Sequence, residues 1–335
     1  MRFIKWSFFL AVLLALLFAG WMVYFVSTPA NLQDEVVEVD IRAGSSLRSV
    51  SRQLADQGVL SEPNSFTLLV RMLGMAGEIK AGNYLIENGT TPYDLFVIIT
   101  AGKTTQAGIT FIEGWTFNQM RQAMMQNDAI RHLSISYTDQ QILESIGASE
   151  IHPEGLFFPD TYYFSKGMSD LEILKRAYHA MQSRLNDAWA KREAGLPYKT
   201  PYEALIMASI VEKETGRADE RKTIAGVFVN RLRIGMRLQT DPTVIYGMGE
   251  RFDGNIRRKD LQADTAYNTY TRNGLPPTPI AMPGLASIEA ALHPAKTRAL
   301  YFVGKGDGSH VFSNTLAEHN RAVVKYQLRR GQGAR

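Results

Sequence analysis

Cysteine is absent from all 335 residues, which excludes disulfide scaffolds, thiolate metal sites and cysteine nucleophiles. It leaves export open, because nothing can mispair in an oxidising compartment. The six histidines form no His-Glu-x-x-His pair, so a zincin-type site is excluded as well. Gly304 to Gly308 reads Gly-Lys-Gly-Asp-Gly with no Gly-Lys-Ser/Thr after it, a hairpin tip and not a phosphate loop. Charge of one sign is nowhere concentrated: 37 Lys+Arg against 33 Asp+Glu leave a net +4, too dispersed for a nucleic-acid binder. No metal and no cofactor is expected. Long apolar runs are also lacking, with one exception at the N-terminus.

That exception is Trp6 to Val26, a stretch without a charge and of the length needed to cross ~30 Å of hydrocarbon as a helix. Arg2 and Lys5 precede it, whereas no Lys or Arg follows until Arg42. The positive-inside rule therefore leaves the N-terminus cytoplasmic and everything from about Ser27 outside. A cleaved signal peptide is the alternative, but the apolar region is longer than usual and lacks a clear small-x-small cleavage site. With 45% hydrophobic and 10% aromatic residues the remainder is expected to fold, as more than one domain at this length.

After the anchor a local grammar repeats: an alternating strand, a glycine corner, then Ser or Thr opening a helix. Val37, Val39 and Ile41 alternate, Gly44 turns, and Ser46 caps a helix carrying Leu47, Val50 and Leu54. Gly89, a Thr91 cap, Pro92 at the first helical position and Asp94 in the capping-box place form the second instance. Gly114, Thr116 and Gln119 form the third. Between the first two lies a helical stretch from Ser65 to Leu73. The resulting βααβ unit resembles a LysM-like module, which binds N-acetylglucosamine-containing glycans; Asn83, Tyr84 and Asn88 are candidate sugar contacts, and strand and turn roles explain them equally well. Further helices are expected over Glu172 to Arg192, Tyr202 to Glu214 and Leu316 to Arg329, with a hairpin between Ala299-Leu-Tyr-Phe-Val-Gly304 and His310-Val-Phe-Ser313. The last five residues, Gly331 to Arg335, are expected to fray.

The helix ending Ile-Val-Glu-Lys-Glu-Thr-Gly216 is apolar on nearly every face until it stops in Glu212, Lys213 and Glu214. Met207, Val211 and Glu214 stand at i, i+4 and i+7, so Glu214 continues a buried stripe, while Glu212 continues the one through Leu205 and Ala208. A carboxyl at the wet end of such a stripe loses solvation, which raises its pKa toward what a general acid needs. A solvated helix end with Glu and Lys pairs fits the same spacing.

The segments Ser209 to Thr215 (SIVEKET), Leu238 to Gly247 (LQTDPTVIYG), Tyr267 to Tyr270 (YNTY) and Glu154 to Phe164 (EGLFFPDTYYF) resemble the MltG (YceG-like) family of endolytic murein transglycosylases, over essentially the whole chain. The resemblance implies that Glu214, the glutamate followed by Thr, is the catalytic acid, and that the substrate is the peptidoglycan glycan strand. It implies cleavage of the β-1,4 bond between N-acetylmuramic acid and N-acetylglucosamine within nascent strands, leaving 1,6-anhydromuramoyl ends and ending elongation beside peptidoglycan synthases. The expected class is α+β: 1–5 a cytoplasmic tail, 6–26 a transmembrane helix, 27–36 a periplasmic tether, 37–105 the LysM-like module, 106–335 a mostly helical lysozyme-like catalytic domain with short strands. The expected location is the inner membrane, with the body periplasmic.

For the sugar groove, Gln239, Thr240, Asn268 and Tyr270 are candidates, since amides, hydroxyls and aromatics suit sugar hydroxyls and N-acetyl groups; loop-fixing hydrogen bonds are their alternative use. Glu154 and Asp160 flank an aromatic loop as candidates for orienting substrate or for a second carboxylate, with capping and turn roles open. His152, His293 and His310 share no spacing and read as structural. Arg217, Arg231 and Arg237 could offset the negative lactyl-peptide groups or be paired. Two other functions stay open: a noncatalytic tethered glycan-binding or division scaffold, and a water-using muramidase with Glu154 or Asp160 as second carboxylate.

Overall fold

The computed structural model describes residues 2–30, 32, 36–42, 44–102 and 106–328. The expected end of the last helix at Arg329 and the fraying of Gly331 to Arg335 lie outside them. The chain divides into two compact units, one of Met1–Gly108 with Tyr163–Met168 and one of Ile109–Tyr162 with Ser169–Arg335. Helix and strand are mixed throughout.

The first unit opens with α1 (Arg2–Ser27), long and apolar enough to cross a membrane by length and composition. Then come β1 (Val36–Ile41), α2 (Leu47–Asp56), α3 (Pro63–Met72), β2 (Gly82–Glu87) and α4 (Pro92–Ala101). β1 and β2 pair antiparallel, with Val39 opposite Tyr84 and Ile41 opposite Gly82. Their alternation sends Val39, Ile41, Tyr84 and Ile86 into a core shared with Val50, Leu54, Phe66, Val70, Leu95 and Ile99. The caps read from sequence are present: Ser46 accepts from the Ser49 N–H, and Thr91 and Asp94 close a capping box behind Pro92. Gly102 ends α4 at φ 71°, a conformation that favours glycine.

The segment after α1, read as a tether, is held where it is described. The Ala30 N–H donates to the Thr90 carbonyl (2.9 Å) and the Gly89 N–H to the Ala30 carbonyl (3.1 Å). Asn88 accepts from the Leu32 N–H (3.0 Å). Tyr84 is fully buried with its hydroxyl on the Lys80 carbonyl (2.7 Å). Tyr84 and Asn88 thus serve strand and turn, the second of the two uses their positions allowed.

Strands β3 (Gln106–Thr110) and β4 (Thr161–Ser165) pair with each other, and the division between the units falls within both. The second unit adds α5 (Phe117–Met125), α6 (Asp139–Ile146), α7 (Asp170–Ala190), α8 (Pro201–Glu214), α9 (Ala218–Arg233), α10 (Asp241–Met248), α11 (Arg258–Gln262), α12 (Leu285–Leu292), the antiparallel hairpin β5 (Tyr301–Gly304) and β6 (His310–Ser313), and α13 (Leu316–Val323), which runs into a π turn at Val324–Leu328. Its centre is α8. Every residue from Ala204 to Val211 is buried, and α7, α9, α10 and α12 pack around it. Each large apolar side chain so buried contributes roughly 1.5–3 kcal/mol, so α8 is fixed in place, and with it the residue at its C-terminal end.

Candidate active site

That residue is Glu214. The helix stops there because Thr215 turns extended (φ −149°, ψ 133°) and its hydroxyl accepts from the Arg217 N–H (3.0 Å). Glu214 is half-buried, packed by protein on most sides and open to a groove of about 540 Å³ lined also by Arg231, Leu238, Gln239, Thr240, Asp241, Tyr270, Tyr301 and His310. Burial pushes its carboxyl up from the ordinary 4.5 to about 6 and the nearby Asp241 charge adds to this, while the Thr240 hydrogen bond, His310 and Arg231 pull the other way. The Thr240 hydroxyl donates to Glu214 Oε1. A carboxyl in such a setting holds its proton close to neutral pH and can give it to a group bound in the groove.

Two sequence segments build the wall opposite. In the first, the Leu238 carbonyl accepts from the Arg231 guanidinium (2.6 Å). Gln239 then takes φ +49°, the only left-handed non-glycine among the described residues. A side chain in that conformation is costly and is found where the surroundings enforce it, often at functional sites. Here the enforcement is visible. The Gln239 N–H donates to the Thr269 carbonyl (3.1 Å) and the Thr240 N–H to the Thr269 hydroxyl (3.1 Å). The result buries Thr240 against Glu214 and leaves the Gln239 side chain exposed at the groove.

The second segment is Tyr267 to Tyr270. Asn268 is 1% exposed and its amide donates to the carbonyls of Asp260 (3.3 Å), Leu261 (3.1 Å) and Ala263 (2.7 Å) while accepting from the Tyr270 N–H (2.8 Å). It shapes the loop and does not line the groove, so of its two uses the structure shows loop-fixing. Tyr270 lines the groove and its hydroxyl donates to Asp241 (2.6 Å); burial, then that carboxylate, raises its pKa.

Glu214, Gln239, Thr240 and Tyr270 are therefore brought together, and Asn268 and Glu154 are not. Glu154 is 3% exposed, accepts from the Phe117 N–H (3.0 Å) and the Tyr246 hydroxyl (3.1 Å), and is pushed by burial up to about 7. It ties the start of α5 to α10 and is absent from the groove lining. Asp160 is exposed, with Arg184 at 3.6 Å. Of the arginines, Arg217 pairs with Asp219 (2.7 Å) and Arg237 donates to the Tyr270 carbonyl (2.8 Å). Arg231 is 7% exposed and is spent on the backbone carbonyls of Leu300 and Leu238 (both 2.6 Å). It joins β5 to the segment that presents Gln239.

Sequence reasoning missed Asp241 and His310 as groove residues. Asp241 reads as a turn before Pro242, yet it is the first residue of α10 and faces the groove. His310 looked isolated because its partner is 90 positions away: its Nδ1 lies 2.7 Å from Glu220 Oε2, and its backbone N–H donates to Glu220 Oε1 (3.0 Å). Nothing in local spacing announces that pair.

A buried helix thus delivers one proton-holding carboxyl to a polar groove, opposite a hydroxyl, an amide and a tyrosine, an arrangement able to pass a proton to a group bound there. A model of the YceG-like family matches residues 39–325, and the chain belongs to that family. It is similar to a Bacillus subtilis protein named endolytic murein transglycosylase, 34% identical over 307 residues that cover 87% of this chain and 84% of that one. A Streptococcus pneumoniae protein of the same name is 27% identical over 323 residues, covering 87% of this chain and 58% of the longer pneumococcal one. Among solved structures, a YceG-like protein of Listeria monocytogenes superposes with a TM-score of 0.54 at 33% identity, covering 86% of this chain and 98% of that one.

Proposed function

We propose that the protein is a membrane-anchored endolytic lytic transglycosylase of peptidoglycan, with Glu214 as its single acid and base. The observation that carries the reading is the Glu214 carboxyl, half-buried at the end of α8 and facing the groove, where burial pushes it up to about 6. The Bacillus and Streptococcus relatives named endolytic murein transglycosylase supply the substrate class. In the first step Glu214 gives its proton to the glycosidic oxygen after N-acetylmuramic acid as the bond from that oxygen to the anomeric carbon breaks. The C6 hydroxyl of the same sugar then attacks the anomeric carbon and its proton goes to Glu214. An anhydro ring closes, the acid is regenerated and water is not consumed. Gln239 and Tyr270 are placed to hold sugar hydroxyl and N-acetyl groups, and Thr240 orients the acid.

In this reading 1–5 is cytoplasmic, 6–26 spans the inner membrane, and the rest is periplasmic, with a LysM-like module at 37–105 and a lysozyme-like catalytic domain over 106–335. Cleavage within nascent strands then ends their elongation beside peptidoglycan synthases. One observation favours a second reading: Asp241 faces the same groove, and a hydrolase needs a second carboxylate. Its oxygen is engaged by Tyr270 (2.6 Å), which favours positioning over attack. Digesting purified glycan strands with the protein and weighing the products tests all of this. Anhydro ends support the transglycosylase, reducing ends convert it to a hydrolase using Asp241, and intact strands leave a binding scaffold.

A further inference from the structure

The first unit carries an apolar face that its own fold leaves uncovered, next to the helix read above as the membrane anchor. From Trp6 to Trp21 every residue of α1 is exposed, a length of about 24 Å at 1.5 Å per residue, short of the ~30 Å hydrocarbon layer. Past Trp21 the helix is built into the unit: Phe25 is 5% exposed in its core, and Met22 and Val26 pack against it. On the far side of that same turn Val23 and Tyr24 stay exposed. Either the bilayer thins to this span, or lipid rises to the level of Val23 and Tyr24, beside the helices packed on α1.

The helices packed on α1 are α3 and α4, and both break amphipathicity on their open sides. α3 exposes Leu68 and Met72, one turn apart, followed by Leu73; α4 exposes Tyr93 and Val97, again one turn apart. Apart from the exposed Asp94 of its capping box and Thr100, α4 is apolar along its length although only one side of it is buried. The third helix, α2, behaves as a water-facing helix should, with Arg48, Ser49, Arg52 and Asp56 outward. Uncovered apolar side chains therefore gather on the helices that touch the anchor and are absent from α2.

We infer that the exposed apolar side chains on the two helices flanking α1, Leu68 and Met72 on α3 and Tyr93 and Val97 on α4, are immersed in the interfacial layer of the lipid bilayer, where the neighbouring exposed Arg71 and Asp94 reach the headgroups, so that the unit is seated in the membrane beside α1 instead of standing off on a stalk. Lipid is the occupant because the two helices that carry these side chains pack on α1, whose own fully exposed apolar run stops short of the hydrocarbon thickness. Tyr93 suits that depth, since its ring is apolar and its hydroxyl stays wet. The inference rests on the reading of α1 as a membrane anchor.

The cysteine-free sequence makes the test direct. Single cysteines at Met72, Val97, Arg52 and Leu13 in the full chain take an environment-sensitive fluorophore. The labelled proteins are reconstituted in phosphatidylethanolamine and phosphatidylglycerol vesicles carrying a quencher either just below the headgroups or deep in the chains. Probes at Met72→Cys and Val97→Cys should lose most of their emission to the shallow quencher, the Leu13→Cys probe to the deep one, and the Arg52→Cys probe to neither. If Met72→Cys and Val97→Cys behave like Arg52→Cys while Leu13→Cys is quenched, the seating is wrong and the anchor stands. A blue-shifted but unquenched signal at Met72→Cys and Val97→Cys means that a second copy covers the face, and also overturns it. An unquenched Leu13→Cys removes the anchor and the inference together.

Discussion

Replacing Glu214 by Gln removes the one groove carboxyl that burial holds protonated, and the cost of that burial can be read as stability. A carboxyl that titrates at about 6 in the folded protein against an ordinary 4.5 keeps its proton in the native state while the unfolded chain gives its own up. The advantage of the native state is complete below pH ~4.5 and is lost as pH rises through about 6, at ~1.4 kcal/mol for each pH unit between the two values, or about 2 kcal/mol in all. Gln never ionises, and its amide oxygen can still accept the Thr240 hydroxyl. The Glu214→Gln protein should thus match the parent in stability at pH 4 and exceed it by up to about 2 kcal/mol at pH 8, a rise of roughly 4–8 °C in Tm. Thermal melts of both proteins in detergent across that range measure the difference. A Gln variant less stable at pH 8, or a difference that does not change with pH, refutes the claim that burial holds the proton on Glu214.

The same variant should lose roughly 10²–10⁴-fold in release of anhydro ends, while Glu212→Gln should stay near the parental rate, because Glu212 accepts from the Gly284 N–H (3.0 Å) and is absent from the groove lining; the reverse order of damage in a product assay would move the acid to Glu212. His310→Gln removes a neighbour whose charge lowers the Glu214 pKa, so the alkaline limb of the pH–rate profile should move up, and an unmoved limb would separate His310 from the acid. Gly226→Ala should cost more than ~1 kcal/mol, since a Cβ there stands 2.5 Å from the Ala295 carbonyl oxygen and 2.9 Å from Thr297 Cγ2; a denaturation midpoint equal to the parent's would mean that the segment after α12 yields freely.

What was legible in the sequence was what neighbours along the chain decide. Ser46, Thr91 and Thr116 cap their helices as read, because a cap needs only the next three residues. The stop at Glu214 was legible too, since the apolar run of α8 ends there. Amphipathic spacing predicts a helix over Leu316 to Arg329, whereas among the described residues the α-helical part ends at Val323 and a π turn follows to Leu328, a change of winding that periodicity does not separate from continuation. The groove was half legible. Amides and carboxylates can be listed from sequence, but whether Asn268 faces a sugar or three backbone carbonyls depends on where residues 260–263 fold back. In the same way, the Glu154 carboxylate meets Phe117 and Tyr246, 37 and 92 positions away, and no local pattern encodes either contact.

The direction of the helices at the groove has a further consequence. Glu214 is the last residue of α8 and Asp241 the first of α10, so the two carboxyls of one cleft stand at opposite poles of two helices. The free carbonyls at a helix C-terminus disfavour an added negative charge, and the free N–H groups at an N-terminus welcome one, each by roughly 0.3–1 kcal/mol. Chain direction thus adds a smaller push, of the same sign as burial, toward keeping the proton on Glu214. That push belongs to the helix end and not to the residue type, so exchanging the two residues as Glu214→Asp and Asp241→Glu would leave it at the same place.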